Sequence, residues 1–213
     1  LPDQDPTVST AFYLVRHADH GHLSKVLTGR MPGVRLSQSG RAQAAALARS
    51  MGGCRFDALF SSPQARARET AEFISSATES PTLISDRIDE IDFGRWAGQP
   101  FDALERDPDW VRWNAARNTA RTPAGESMSD VTARFLGFID SLRVRFPGGT
   151  VCLVSHADVI KSAVCHYLGK PIQAVHDFEI APASVTIVAV DDGRGQVVSL
   201  NETSFREPEE MAR

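Results

Sequence analysis

Phe12-Tyr-Leu-Val15 is an unbroken apolar run of β-forming residues that stops abruptly at Arg16-His17. A strand without polar alternation is buried on both faces, as in a parallel sheet covered by helices on each side. Open sheets of that kind bind ligands just beyond the carboxyl ends of their strands. A guanidinium beside an imidazole at such a point suits an anion site that holds a nucleophile or general base. The polar, Gly-containing stretch Asp19-His20-Gly21-His22 follows as a loop. A second apolar run, Val151 to Val154, ends the same way in Ser155-His156. Two separate buried strands therefore deliver a histidine to one edge of the sheet.

The intervening sequence supplies the other layers. Ser37 or Ser39 caps a helix running to about Met51, whose Ala42, Ala44, Ala45, Ala46 and Ala48 allow close packing on a sheet. Asp57 to Phe60 read as a strand leading into Ser61-Ser62-Pro63, and Pro63 suits the first turn of a helix through Arg66, Thr70 and Phe73. Thr82 to Ile84 form a third strand. Between Asp86 and Pro123, Trp96, Trp110 and Trp113 stand among charges and prolines, giving a loop with short helices over the active face. Ser127 with Asp130 three residues on resembles a capping box, and Val131, Phe135, Phe138, Leu142 and Phe146 follow at helical spacing as core. Pro147-Gly148-Gly149 ends that helix, and another spans about Asp158 to Leu168 beyond the second histidine. Ser184 to Val190 and Gln196 to Leu200 flank an Asp-Asp-Gly turn as a hairpin. The expectation is one domain over residues 1–213, a three-layer α/β/α fold on a doubly wound, mostly parallel sheet, with flexible tails at 1–10 and 203–213.

A chain of 213 residues has room for one sizeable α/β domain and not for two. Its net charge of -4 leaves no electrostatic footprint for nucleic acid or an anionic membrane. No apolar stretch is long enough to span a bilayer. The N-terminal Leu1-Pro-Asp-Gln-Asp-Pro-Thr lacks the basic region and apolar core of a signal peptide; it also lacks an initiator methionine, so trimming or processing is open. Cys54, Cys152 and Cys165 are odd in number, far apart and in apolar surroundings, which fits buried free thiols in a reducing cytoplasm.

Five blocks, taken together, resemble the histidine phosphatase (phosphoglycerate mutase-like) superfamily. They are Leu14-Val-Arg-His17 with Leu36-Ser-Gln-Ser-Gly-Arg-Ala-Gln-Ala44, Ser61-Ser-Pro-Gln-Ala-Arg-Ala-Arg-Glu-Thr-Ala71, Glu90-Ile-Asp-Phe-Gly-Arg-Trp-Ala-Gly98, Gly125-Glu-Ser127 and Val154-Ser-His156. Taken singly, Arg66 reads as a surface salt-bridge partner, Glu90 as one of a solvated acidic run with Asp86, Asp89 and Asp92, and His156 as a core histidine. In the family's order they read as functional. The resemblance implies that Arg16 and Arg66 neutralise a phosphate dianion and keep His17 neutral, that His17 attacks phosphorus, that His156 donates to the equatorial oxygens, and that Glu90 protonates the leaving oxygen. No cofactor and no metal are expected, and the partner is a small-molecule phosphomonoester bound by a cytoplasmic monomer or homodimer.

The chain departs from the family in two places. Ala18 replaces the usual glycine, and Leu23 stands where many members carry a phosphate-contacting asparagine, with Ser24 or Thr28 as substitutes. His20, His22, His166 and His176 match no family position and read as structural or surface residues. The rival readings are a metal hydrolase on Asp19, His20, His22 and a distant carboxylate, a non-catalytic phosphate-binding module, and a phosphoglycerate mutase. The segment between Glu90 and His156 is short, so its tryptophans supply a partial lid, which favours hydrolysis over mutase chemistry.

Overall fold

The computed structural model describes residues 9–192 and 194–205. Along the chain the strands are β1 (Thr10–Arg16), β2 (Ala58–Ser61), β3 (Thr82–Ile84), β4 (Thr150–Ser155), β5 (Val185–Asp191) and β6 (Arg194–Glu202). The helices are α1 (Gln38–Ser50), α2 (Ala65–Thr78), α3 (Phe101–Leu104), α4 (Pro108–Ala115), α5 (Met128–Arg145) and α6 (Ala157–Tyr167). The strands form one sheet in the order β3-β2-β4-β1-β5-β6. Pairs β1–β4, β4–β2 and β2–β3 are parallel, while β5 runs antiparallel to both β1 and β6. The sheet is mixed, and its parallel half carries the two histidine-bearing strands.

The alternation of side chains along β1 builds a core on each face. Phe12 and Leu14 join Phe135 and Ile139 of α5 and Val159 and Ile160 of α6. Tyr13 and Val15 join Ala44 and Leu47 of α1 and Ala67 and Ile74 of α2. Each such burial contributes about 1.5–3 kcal/mol. A one-residue slip of β1 would exchange the two sets, so the pairing register is tightly held. This gives the three-layer α/β/α arrangement.

Local signals account for most helix ends. Ser37, not Ser39, caps α1 by accepting from the Gly40 N–H. Ser127 and Asp130 form the reciprocal capping box at the head of α5. Pro63 is not in the first turn of α2: Gln64, itself extended, is the N-cap, because its N–H donates to the Ser62 hydroxyl, which in turn donates to Asp89. The fold also reaches further at both ends than the expected tails. Thr10 is buried in β1, and Phe205 is 4% exposed and packs its ring edge-on to Tyr13. Residues 1–8, Gly193 and 206–213, including the polar tail, lie outside the described residues. All three cysteines are buried.

The tryptophans do not form a lid. Trp110 stacks on Trp113 at 5.4 Å between ring centroids, and Trp96 meets both edge-on. Trp96 and Trp113 are buried in the same core as Phe93 and Met128. Their large apolar area is satisfied among themselves and the core. From α3, Phe101 is the side chain that reaches the cavity described next.

Candidate active site

Because β1 and β4 are neighbours and Arg16 stands opposite Ser155, His17 and His156 leave the sheet side by side. Their ring centroids are 5.1 Å apart, and both rings are buried. The loop after His17 is pinned to α1. The Asp19 carbonyl accepts from Ser37 N–H at 3.0 Å, and a Cβ on Gly40 would sit 1.8 Å from that carbonyl oxygen, so glycine is required there.

The hydrogen bonds define the state of each imidazole. His17 Nδ1 lies 2.8 Å from the Ala18 carbonyl, which only accepts, so Nδ1 carries the proton and Nε2 keeps its lone pair. Arg66 Nε donates to that Nε2 at 3.2 Å. Burial, followed by the charges of Arg66 and Arg16, holds His17 well below the usual histidine pKa. At His156 the pattern is reversed. Arg66 Nη2 approaches Nδ1 at 3.3 Å and can only donate, so Nε2 carries the proton and donates to Ser62 Oγ at 2.7 Å. Ser62 in turn donates to Asp89 Oδ1 at 2.9 Å. Burial and then Arg66 also depress the His156 pKa.

The two arginines are tethered, yet each keeps a free donor. Arg16 Nη1 donates to the Ile180 carbonyl at 2.5 Å, and Arg66 Nη2 donates to the Gly29 carbonyl at 2.7 Å. Arg16 Nε and Arg66 Nη1 are buried without a hydrogen-bond partner among the described residues. A buried donor left unmatched is costly, and an anion bound between the two guanidiniums is its natural partner.

Glu90 completes the group. Its Oε2 lies 3.6 Å from His156 Nδ1 and 4.0 Å from Arg66 Nη2, while Oε1 accepts from the Ile91 N–H at 3.0 Å. Burial, helped by the Asp158 carboxylate, pushes its pKa up to about 7. A free-base imidazole and a largely protonated carboxyl thus coexist at mildly acidic pH, the separation of pKa values that can divide a nucleophile from an acid.

His17, Arg16 and Glu90 line a cavity of about 470 Å³. Leu23, Val26, Leu27 and Phe101 form part of its wall, and Asp158, Lys161 and Glu179 add charge. Ser24 and Thr28, the two candidates to replace an asparagine at Leu23, both line it as well.

All five residues expected from sequence, Arg16, His17, Arg66, Glu90 and His156, thus converge. His20 departs from expectation: it is 6% exposed, lines the cavity, and its ring centroid is 5.5 Å from that of His17. Its Nδ1 accepts from the His22 N–H at 3.3 Å, leaving Nε2 as a donor, and burial lowers its pKa to about 4. The signal was its place three residues past His17 in a polar loop at the strand's carboxyl end. Ser62 and Asp89 were also missed as the support of His156, since nothing local distinguishes Asp89 from its acidic neighbours. The chelate of Asp19 with His20 and His22 does not form. Asp19 accepts from Gly21 N–H and from the Ser37 and Ser39 hydroxyls, and no cluster of three metal-ligating side chains occurs among the described residues.

The sequence model of the histidine phosphatase superfamily (branch 1) matches residues 12–203, and the chain belongs to that family. Phosphoserine phosphatase 1 of Hydrogenobacter thermophilus is 32% identical over 195 residues, covering 89% of this chain and 91% of the relative. Among solved structures, YhfR of Bacillus stearothermophilus superposes with a TM-score of 0.84 at 27% identity, over 91% of this chain and 97% of that one. A histidine-to-alanine mutant of phosphoserine phosphatase from Entamoeba histolytica, in complex with phosphoserine, gives a TM-score of 0.82 at 25% identity, over 91% of this chain and 98% of that one. Homology therefore supports phosphatase activity on a phosphoglycerate mutase-like α/β fold.

Proposed function

We propose that this protein hydrolyses small phosphomonoesters, without metal or cofactor, through a phosphohistidine on His17. The observation that carries the reading is the pair of unmatched buried donors, Arg16 Nε and Arg66 Nη1, on the two guanidiniums whose charges keep His17 free base. The phosphate dianion takes these donors, and its charge is neutralised before attack. The Nε2 lone pair then forms the N–P bond as the P–O bond to the leaving group breaks. Glu90 gives its proton to the leaving oxygen. In the second step the Glu90 carboxylate takes a proton from water. The water oxygen bonds to phosphorus, and the P–N bond breaks to release inorganic phosphate.

His156 has a conditional part. In the unliganded site its Nδ1 accepts from Arg66, so it cannot donate there. An arriving dianion favours the imidazolium, which gains its second proton on Nδ1 while the Nε2 proton stays hydrogen-bonded to Ser62, with Asp89 3.8 Å from Nε2. The protonated ring then donates to the equatorial oxygens as their charge grows.

None of the three tryptophans lines the cavity, and a site without that cover suits hydrolysis over isomerisation. With 3-phosphoglycerate and a bisphosphoglycerate primer, inorganic phosphate release should exceed interconversion of the 2- and 3-isomers by a wide margin. Lys161 and Glu179 beside an apolar wall fit a small charged alcohol moiety. Phosphoserine, after the relatives' activity, leads the panel of phosphorylated metabolites to screen. The decisive experiment is to trap the phosphoenzyme. The linkage should be acid-labile, alkali-stable and absent from His17→Ala, whereas phosphoryl on serine or cysteine would refute it.

A further inference from the structure

Glu126 lies outside the cavity, yet two arginines and a backbone N–H converge on its carboxylate. Its Oε1 takes Arg134 Nε at 2.9 Å, and its Oε2 takes Arg30 Nη2 at 2.9 Å, Arg134 Nη2 at 3.2 Å and the Asp92 N–H at 3.0 Å. Both arginines use their remaining donors on one backbone stretch. Arg30 Nε donates to the Glu90 carbonyl at 2.8 Å. Arg134 Nη2 donates to the carbonyls of Asp89 at 2.7 Å and Glu90 at 3.1 Å. The carbonyl of the proposed proton donor is therefore held by two guanidiniums that Glu126 aligns together, Arg134 on both carboxylate oxygens and Arg30 on Oε2.

The segment carrying Glu126 is built to approach this closely. Glu126 N–H donates to the Asp92 carbonyl at 2.9 Å, and a Cβ on Gly125 would lie 2.0 Å from that same oxygen. Arg134, about two turns along α5 beyond the Ser127 cap, and Arg30, from the loop before α1, come from parts of the chain about a hundred residues apart. Arg30 also reaches Asp89 Oδ2 at 3.3 Å, so the clamp touches the residue that supports His156 through Ser62.

We infer that Glu126 is a positioning residue for catalysis: through Arg30 and Arg134 it fixes the backbone of Asp89 and Glu90, and so the aim of the Glu90 carboxyl at the leaving oxygen. A bidentate carboxylate is needed because two guanidiniums must be oriented together, which one neutral amide cannot do. The same carboxylate offsets the charge of both arginines. Without it, the local potential becomes more positive and the Glu90 pKa falls.

This inference rests on Glu90 as the proton donor, and the experiment separates the two. Glu126→Gln, Glu90→Gln and the double variant are assayed with an alkyl phosphate and with nitrophenyl phosphate, whose leaving group needs little protonation. Glu126→Gln should lose about tenfold or more in kcat on the alkyl phosphate and about twofold on nitrophenyl phosphate. The fall of kcat/KM with rising pH should begin at lower pH in Glu126→Gln than in the parent enzyme. In the double variant, Glu126→Gln should add almost nothing to Glu90→Gln on the alkyl phosphate. Equal losses on both substrates, or additive losses in the double variant, would make Glu126 merely structural and overturn the inference. If Glu90→Gln itself shows no leaving-group dependence, the proton-donor reading fails first, and this inference with it. Should Glu126→Gln not fold, Arg30→Gln removes one of the two donors to the Glu90 carbonyl, and the same substrate contrast and non-additivity decide the matter.

Discussion

The inner and outer ends of the cavity are built in different ways. At the inner end, His17 and His156 are fixed by the parallel register of β1 on β4, and Arg66 by the first turn of α2. Nearly every polar atom there has a defined partner, and the exceptions are the two arginine donors, Arg16 Nε and Arg66 Nη1, proposed to take a phosphate. At the outer end, the walls come from the loop after His17, from Phe101 on the four-residue α3, and from the stretch containing Glu179 and Ile180. Nothing in a sheet register dictates those positions. The residues proposed to carry the chemistry thus sit on the elements that packing holds most firmly, while the outer wall comes from segments that can vary without disturbing them.

Substitutions at the two ends should separate the two kinds of control. His17→Ala should reduce turnover of every phosphomonoester by about a thousandfold or more, because no other group supplies the attacking lone pair. A comparable rate with any substrate would break the assignment. Glu90→Gln should cost about a hundredfold with an alkyl phosphate and much less with nitrophenyl phosphate. A chelator should leave the parent enzyme unchanged, and inhibition by it would restore a metal mechanism.

The pH dependence follows from the same inner end. His17 stays free base through mildly acidic pH, and Glu90 loses its proton near pH 7, so kcat/KM should fall about tenfold per unit above that point. Glu90→Gln should remove this limb. Stability should follow with a definite sign. The folded-state pKa of Glu90 is raised from 4.5 to about 7, so its contribution is fully present below 4.5 and is lost as pH rises through 7. Between those values the unfolding free energy should therefore shift in favour of Glu90→Gln by up to about 3 kcal/mol, as denaturant titration at about pH 4.5 and about pH 8 would read it. A shift of the opposite sign would mean that Glu90 is stabilised as a carboxylate.

The outer end should respond more weakly and more selectively. Phe101→Ala should raise KM by several-fold for substrates with a bulky alcohol moiety and leave kcat on nitrophenyl phosphate within about twofold. The smallest effect should come from His20→Asn, which keeps a donor near the site. Vanadate inhibition should weaken by no more than about threefold, against about tenfold for His20→Ala. Equal effects of the two would show that the His20 ring is used for its shape and not its N–H.

Much of this was legible in the residues themselves. The unbroken apolar runs before His17 and His156 announced strands buried on both faces, and the Ser127–Asp130 box marked the start of α5 at the right residue. Arg66 and Glu90 were found through their motifs, not through any local physical property. Phe138 and Phe146 were read as core and are only half-buried against it, since helical spacing gives a face and not a depth. The tryptophans misled for a related reason: a large aromatic side chain in an irregular segment gives no sign of whether it covers a site or packs on its own kind.

The sequence by itself determined which strands would be buried, where they would end, and which ionisable groups would stand at those ends. Local backbone preference and the period of apolar residues act over a few positions, so they can be read without knowing the partners. Only the tertiary structure decided that β4 lies beside β1, that Arg66 Nε meets His17 Nε2, that Asp89 stands behind His156, and that Glu126 grips Glu90 through two arginines. Those relations join residues from about 30 to more than 130 positions apart. Burial and paired charge there set proton affinities and tautomers that no short stretch of chain contains.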